Sequence, residues 1–500
     1  MWVRQTSSRK ARGTDAFVVA GICVPKTADQ APSSFCPVIK TPTELVDRQM
    51  ADFLNLEALI KEAGLVLPSE FTPAVATTEP FRVPEKKVRF MLVGTHAHQT
   101  TGYSKVTYHL IQELAKYPWL ELFHFGFQKF MVAPANYRVY PAGVDVYDPA
   151  AAEKANPAGP QEMGFGFSLL PEYVKKVKPD VIMIYNDAGV ICRFLDNLES
   201  KLTPQERTYK TLIYLDQVYI IQRPELLARM DKAADAYFAF TAYWKERMEA
   251  QGIKKPIYIL RHGFDPEQFK PMDRASLRKK HGIPENLFIF LNLNRNTPRK
   301  RYDIVVSAFA ELVARHPTKP LALMCVCDGG EQGGFAIQEI YLRELEKRKV
   351  PIQFHGHKVM LTKSALTYPD EIINEFYAMS DVGITAADGE GFGLCQFEAM
   401  GIGIPQVVPY IGGFRDFCKD GVNSRAVKHV HSAYLPLSAS NVGGMIEVVD
   451  PKDLARAAED YLLDSDMRES HGKAARETVC AYKWSSEVAE LARVLKSFSA

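Results

Sequence analysis

Two stretches of the chain concentrate residues able to do chemistry. The first is Asp388-Gly-Glu-Gly-Phe-Gly-Leu-Cys-Gln-Phe-Glu-Ala-Met-Gly401. It follows an apolar strand pattern, turns on glycines and opens a helix. Gly391 and Gly393 permit a tight turn, so backbone N–H groups at the helix start can point at a phosphate. Glu390 and Glu398 stand eight apart, one on the loop and one about a turn into the helix, so both can face one ligand. A helix N-terminus also favours carboxylates. A tight turn carrying a helix-start charge pair is the plainer alternative, because a short glycine match is weak. The second stretch is Asn292-Leu-Asn-Arg-Asn-Thr-Pro-Arg-Lys-Arg301. Arg295 and Lys300 lie five apart on a loop that opens another helix, and two fixed cations there suit a diphosphate. At ~4 Å and an effective dielectric of ~20, one such contact is of order 4 kcal/mol before desolvation. Arg299 and Arg301 read as a solvated basic turn.

Weaker signals read as structure. Asp464-Ser-Asp466 ends a polar helix as a surface turn. His429 and His431 have no third ligand nearby and read as a solvated loop rather than a metal site. His96 and His98 are polar residues of the loop Gly94–Gly102, with substrate contact as the sharper alternative. Tyr103 and Ser104 read as helix starters.

Such loops need elements to hold them. Strands are predicted at Val88–Val93, Leu120–Gly126, Asp180–Tyr185, Thr211–Leu215, Ala236–Phe240 and Pro256–Leu260. Helical patterns lie between them, as at Tyr103–Tyr117, Gln222–Ala234 and Tyr243–Gln251. The alternation restarts after Pro271: strands Leu287–Asn292, Leu321–Cys327, Gln353–His355, Val382–Thr385 and Gln406–Val408, with helices Tyr302–Arg315, Phe335–Arg348, Pro369–Met379 and Cys395–Met400. Residues Pro451–Phe498 read as helical. Strands alternating with helices give βαβ units and parallel sheets. The fold class is therefore α/β, with two doubly wound Rossmann-like domains facing a cleft. Ligands of such sheets bind beyond the carboxyl ends of the strands. The expected division is 1–87 as an N-terminal extension, 88–268 as the first domain, 269–480 as the second and 481–500 as a closing helix. The extension is rich in Pro, Thr and Ser, with one plausible amphipathic helix at 42–64 and disorder expected at its start.

The chain has 500 residues, 47% of them hydrophobic and 24% charged, which is ordinary globular composition. Lys and Arg total 61 and Asp and Glu 59, a net charge of +2. That balance gives no support to nucleic acid or an anionic membrane as the main partner, so any phosphate site must be local. Eight cysteines occur with no Cys-x-x-Cys pair and read as reduced core residues of a cytoplasmic protein. No run approaches the ~18 apolar residues of a transmembrane segment, and no signal or transit peptide is expected.

Taken together and in order, these segments resemble the retaining, nucleotide-sugar-dependent glycosyltransferases of GT-B fold, family 4 in particular. The resemblance covers roughly residues 88–500 and is strongest from 260 to 425. Glu390-Gly-Phe-Gly-Leu-Cys-Gln-Phe-Glu398 fits the family's Glu-x7-Glu motif, and Arg295 with Lys300 fits its Arg-x4-Lys pair. His262-Gly-Phe-Asp265, Ile411-Gly-Gly-Phe-Arg-Asp416, Ala475-Arg-Glu477 and Trp484 match its interdomain turn, its second glycine turn and its closing helices. The resemblance implies transfer of a sugar from a UDP- or GDP-sugar to a hydroxyl acceptor (glycan, lipid or protein) with retention. It implies that Arg295 and Lys300 neutralise the departing diphosphate and that Glu390 contacts the transferred sugar. Glu398 would accept the ribose hydroxyls, and backbone N–H groups of Gly391, Phe392, Gly393 and Leu394 would hold sugar and phosphate. Gly102 matches the first-domain glycine loop. Tyr185-Asn-Asp187 stands where a His is read in the family, so Asn186 or Asp187 is expected to take the sugar contact. No metal and no other cofactor is expected, because Arg and Lys supply the positive charge. A sugar-nucleotide epimerase and a catalytically silent nucleotide-sugar or glycan binder are the alternatives on the same fold.

Overall fold

A computed structural model describes residues 86–130, 136–330, 333–364, 368–436, 440 and 442–498. The expected extension, with its helix at 42–64, lies almost wholly outside these residues.

Short apolar runs such as Val88-Arg-Phe-Met-Leu-Val93 are buried on both faces, as strands of parallel sheets must be when helices cover them. The first sheet comprises β1 (Val88–Thr95), β2 (Leu120–Phe127), β3 (Asp145–Tyr147), β4 (Val181–Asn186), β5 (Lys210–Leu215), β6 (Ala236–Ala239) and β7 (Ile257–Ile259). Their spatial order is β3-β2-β1-β4-β5-β6-β7, and every pairing is parallel. The order reverses between β1 and β4, which opens a crevice beyond Thr95 and Asn186.

The second sheet comprises β8 (Phe288–Asn292), β9 (Leu321–Cys325), β10 (Val359–Leu361), β11 (Val382–Ile384), β12 (Gln406–Pro409) and β13 (Ser424–Val427), ordered β10-β9-β8-β11-β12-β13. Its switch point lies between β8 and β11. The two loops that leave these strands are the two chemically rich stretches. The fold thus puts both at the one place where this sheet offers a crevice.

One expected strand is corrected. Gln353–His355 belongs to a short helix, Ile352–His355, opened by Pro351, and the edge strand is β10 instead. Pro at a helix start has no N–H to lose, and the apolar Val359–Leu361 pairs with β9. His431 also departs from its reading as loop. It lies in an antiparallel hairpin, β14 (His431–Tyr434) with β15 (Met445–Val448). His429 stands 3.2 Å from Glu447 of that hairpin.

The C-terminal segment forms three helices, Pro451–Leu463, Ser465–Cys480 and Trp484–Ser497. Asp464 sits between the first two and caps the second by accepting from the Met467 N–H at 2.8 Å. The Trp484 ring stacks on His109 of the helix Gly102–Leu114, at 4.8 Å and 12°. Phe264 N–H donates to Tyr482 O at 2.7 Å. The last helix is thereby fixed to the first sheet's own layer and to the interdomain turn.

Candidate active site

The helix Leu394–Gly401 begins where Gly393 adopts φ +98°, a conformation that glycine takes without a Cβ penalty. Gly391 is required by proximity: a Cβ there would collide with the Asp216 carboxylate at the end of β5. Its carbonyl accepts from Trp244 Nε1 at 2.6 Å. Gly413 N–H donates to Glu390 O at 2.9 Å, so the second glycine turn braces the first. Phe392 is buried, its ring 4.4 Å from His262 and 5.0 Å from Phe397. Its side chain is core.

Glu390 is buried and held by cations. Lys300 Nζ donates to its Oε2, and Arg299 Nη1 lies 3.3 Å from the same oxygen while donating to Gly389 O at 2.6 Å. Burial opposes ionisation of Glu390, but Lys300 and Arg299 outweigh it and keep the carboxyl below its usual range. Lys300 ends a 3-10 turn, Pro298–Lys300, and Arg301 follows with φ +49°. Arg299 is therefore not a solvated turn residue; that reading is corrected, because Asp388 N–H donates to its carbonyl at 3.0 Å and draws the two loops together. Arg301 pairs with Asp303 at 2.8 Å and approaches Asp388 at 3.7 Å. Arg295 stands on the same loop with an exposed side chain.

Glu398 is buried on the helix. Its Oε1 accepts from Lys105 Nζ and its Oε2 from Tyr377 OH, the latter at 3.0 Å. Burial pushes its carboxyl up, and Lys105 partly offsets that. Lys105 comes from the first-domain helix, one turn after Gly102, and also meets Asp370 at 3.2 Å. Gly102 itself faces the other domain: a Cβ there would stand 3.3 Å from Leu394 Cδ1. The glycine loop of one domain and the motif helix of the other are thus in contact.

Asn186 ends β4 at the first switch point, and Asp187 follows it. Asn186 Oδ1 accepts from Asp187 N–H at 2.9 Å, and Asp187 caps the helix Ala188–Lys201 by accepting from Val190 N–H at 3.0 Å. Burial raises the Asp187 carboxyl. Neither side chain is the acid facing the motif loop. That is Asp216, which accepts from Tyr103 OH and whose carboxyl burial pushes up to about 6. Asp216, Tyr103, Lys105, Asp370 and Arg299 were all missed as site residues. The one available signal was position: Asp216 follows the carboxyl end of a buried strand, where ligands of such sheets sit. His96 is buried against Tyr140 and His124, ring centroids at 5.3 and 6.2 Å, and burial lowers it to about 3, so it is neutral. Among the described residues, no group of three His, Cys, Asp or Glu is placed to hold a metal ion.

Chemically, the crevice offers an anchored carboxylate, a second carboxylate with lone pairs to spare, two guanidinium or ammonium groups and a helix start. This set can grip a diphosphate and a polyol at once.

Residues 273–478 match the family model described as glycosyl transferases group 1. The D-inositol 3-phosphate glycosyltransferase of Streptosporangium roseum is 24% identical over 238 residues, 48% of this chain and 49% of the relative. A second enzyme of that name, from Catenulispora acidiphila, is 26% identical over 233 residues, 46% of this chain and 48% of the relative. The chain thus spans about half the length of the curated relatives it matches. Among solved structures, sucrose-phosphate synthase from Thermosynechococcus elongatus aligns over 82% of this chain and 99% of its own, with TM-score 0.61 and 16% identity. HepE of Anabaena in complex with UDP and glucose aligns over 82% and 100%, with TM-score 0.58 and 15% identity. The two-sheet architecture is that of the GT-B fold, and the sequence resemblance to GT-B glycosyltransferases holds over the second domain.

Proposed function

We propose that the protein is a glycosyltransferase that moves a sugar from a nucleoside-diphosphate sugar to a hydroxyl acceptor with retention of configuration. The observation that carries the reading is the cluster at the second switch point: Glu390 gripped by Lys300 and Arg299, with Glu398 about a turn into the helix that follows and Gly102 of the other domain against Leu394. In the reaction the bond from the anomeric carbon to the diphosphate oxygen breaks, and its electron pair leaves with the phosphate. The acceptor oxygen bonds to that carbon on the same face and gives its proton to the departing phosphate. Negative charge grows on the leaving group, where preorganised cations and backbone N–H groups lower the barrier. Lys300 and Arg299 are the cations beside that position, and Arg295, on the same loop, is assigned to it by the motif spacing alone; with these charges the reading invokes no metal. Glu390 takes hydroxyls of the transferred sugar, Glu398 those of the ribose. Asp216 and Tyr103 face the same loop from the acceptor side and replace Asn186 and Asp187 in the sugar-contacting role.

The structural likeness to HepE, which was solved with UDP and with UDP-glucose, supports a nucleotide donor. The six cysteines among the described residues form no disulfide with one another, which suits a cytoplasmic setting. None of the described helices is long and apolar enough to cross a membrane. The test is a thermal-shift panel of UDP-, GDP- and ADP-sugars with and without EDTA. A true donor stabilises the folded state by mass action, and NMR of the product reads the anomeric configuration. A donor that raises the melting temperature and is consumed to an inverted product would refute retention; no stabilisation by any of the panel would refute the donor class.

A further inference from the structure

The donor carboxylate Glu398 is not held by its own domain alone. Its Oε1 accepts from Lys105, which projects from the first-domain helix Gly102–Leu114, and its Oε2 accepts from Tyr377 OH at 3.0 Å. An ionised carboxylate has about four lone-pair positions. One on each oxygen is used, so about one on each oxygen stays open, the number a vicinal diol needs for its two O–H donors. Lys105 is buried and anchored on every side. Its ammonium meets Asp370 at 3.2 Å and lies 4.4 Å from the centre of the Phe269 ring. Asp370 in turn accepts from Arg138, Tyr137 and Gln268, each at 2.7 Å. Arg138 also donates to Gln99 O at 2.8 Å and Ser104 Oγ at 2.9 Å, and so fixes the glycine loop of the first domain. A continuous polar chain therefore runs from the Gln99–Ser104 loop to Glu398.

We infer that Lys105 is a positioning residue for Glu398: from across the cleft it fixes one carboxylate oxygen, leaves the remaining lone pairs to the two ribose hydroxyls, and so makes ribose recognition depend on the two domains being together. The inference rests on the nucleotide-sugar reading above. Two functions meet in the one ammonium. It supplies the counter-charge without which a buried carboxyl beside Asp370 would hold its proton, and a protonated carboxyl offers fewer acceptor sites. It also ties the ribose site to the glycine loop.

The test is isothermal titration with UDP and 2′-deoxy-UDP, and with the GDP and ADP pairs, on the full chain. Wild type should favour the ribonucleotide by about tenfold, as a hydrogen bond to a charged group warrants. Glu398→Gln should narrow that preference. Lys105→Met should reduce it to about twofold while affinity for the deoxynucleotide changes little, and Lys105→Arg, which keeps the charge, should retain most of it. The preference of Lys105→Met, followed from pH 6 to 9, should also rise with pH, because without the ammonium nothing offsets the burial that pushes the Glu398 carboxyl up. The other groups facing this carboxyl do not titrate in that range: Asp370 lies well below it, Tyr377 well above, Cys395 at about 11 and His109 at about 3. Should Lys105→Met fail to fold, Lys105→Gln carries the same comparison. A Lys105→Met or Lys105→Gln variant that weakens both nucleotides equally, or keeps the tenfold preference, overturns the Lys105 role alone. Wild type that binds none of the three diphosphates overturns the donor reading and this inference with it.

Discussion

Glu390, Lys300 and Arg299 show how a site can be stable only as a set. The carboxylate is buried, and each cation beside it is there because the carboxylate is. Removing one partner strands the other's charge, which costs more than the pair contributes. Glu390→Gln keeps the shape and loses the charge, so turnover should fall by about two orders of magnitude or more with the fold intact; Lys300→Ala should fall at least as far. Steady-state rates with the identified donor check this, and near-native rates in both variants would remove the assignment. Asp216 makes a different point. Folding raises its carboxyl to about 6, chiefly through burial. Between pH ~4 and ~6 the native state then binds more protons than the unfolded chain, so the group's contribution to stability falls as pH rises through that window and stays low above it. Asp216→Asn abolishes this titration. The variant should be more stable than wild type by about 1–2 kcal/mol at pH 7, after allowing for the partial exposure of the group, and by almost nothing at pH 4. Its activity should be low at every pH, whereas wild-type activity should rise from pH 5 to 7. Asp388 is also raised to about 6, but it titrates in both proteins and cancels in the difference. Equal urea midpoints at pH 7 would refute this account of Asp216.

Glycine turns are what let elements carry such residues to one place. At Gly393 the backbone is left-handed, and a Cβ would also strike the Phe414 ring. Gly393→Ala should therefore destabilise by about 2 kcal/mol or more and displace the start of the helix that bears Glu398. Thermal unfolding checks the first effect and donor affinity the second; a variant with wild-type melting and binding would show that the loop relaxes. The elements themselves were largely legible in the sequence. Strands β1, β2, β4, β5, β6 and β7 form within two residues of the apolar runs that signal them, because burial on both faces demands such runs. β10 was misplaced: Gln353–His355 and Val359–Leu361 are both short and partly apolar, and only pairing with β9 distinguishes them. Glu390, Glu398 and Lys300 were legible for another reason, since each stands within a single loop-and-helix segment of fixed spacing. Lys105 and Asp216 were not. Lys105 meets Glu398 at a sequence separation of 293, and Tyr103 meets Asp216 at 113. No local pattern encodes such encounters; the sheet order creates them.

At the scale of the whole molecule, the described residues of the two sheets are joined by more than chain. Asp370, at the start of the helix Asp370–Met379, accepts from Lys105, Arg138 and Tyr137 of the first domain and from Gln268 of the connecting segment. Arg138 and Asp370 have almost no side-chain exposure, 2% and 5%, so salt screens this pair little. Burial alone would raise the Asp370 carboxyl; Lys105 and Arg138 outweigh it and hold it well below the usual carboxylate range. A depressed folded value means that the group's stabilisation is complete above the unfolded pKa of ~4 and is lost as pH falls below it. Asp370→Ala leaves two buried cations with Glu398 as the nearest counter-charge, and should cost about 3–5 kcal/mol at pH 7. Asp370→Asn keeps an acceptor for Arg138 and Tyr137 and should cost less. Because the wild-type advantage is electrostatic, the gap between wild type and Asp370→Asn should shrink steadily from pH 5 to 3, but change little between 50 mM and 500 mM salt at pH 7. Urea unfolding across those conditions measures it. A gap that vanishes in salt yet survives acid would mean that the two domains are held by surface charge, and that the buried chain from Arg138 to Glu398 does not couple them.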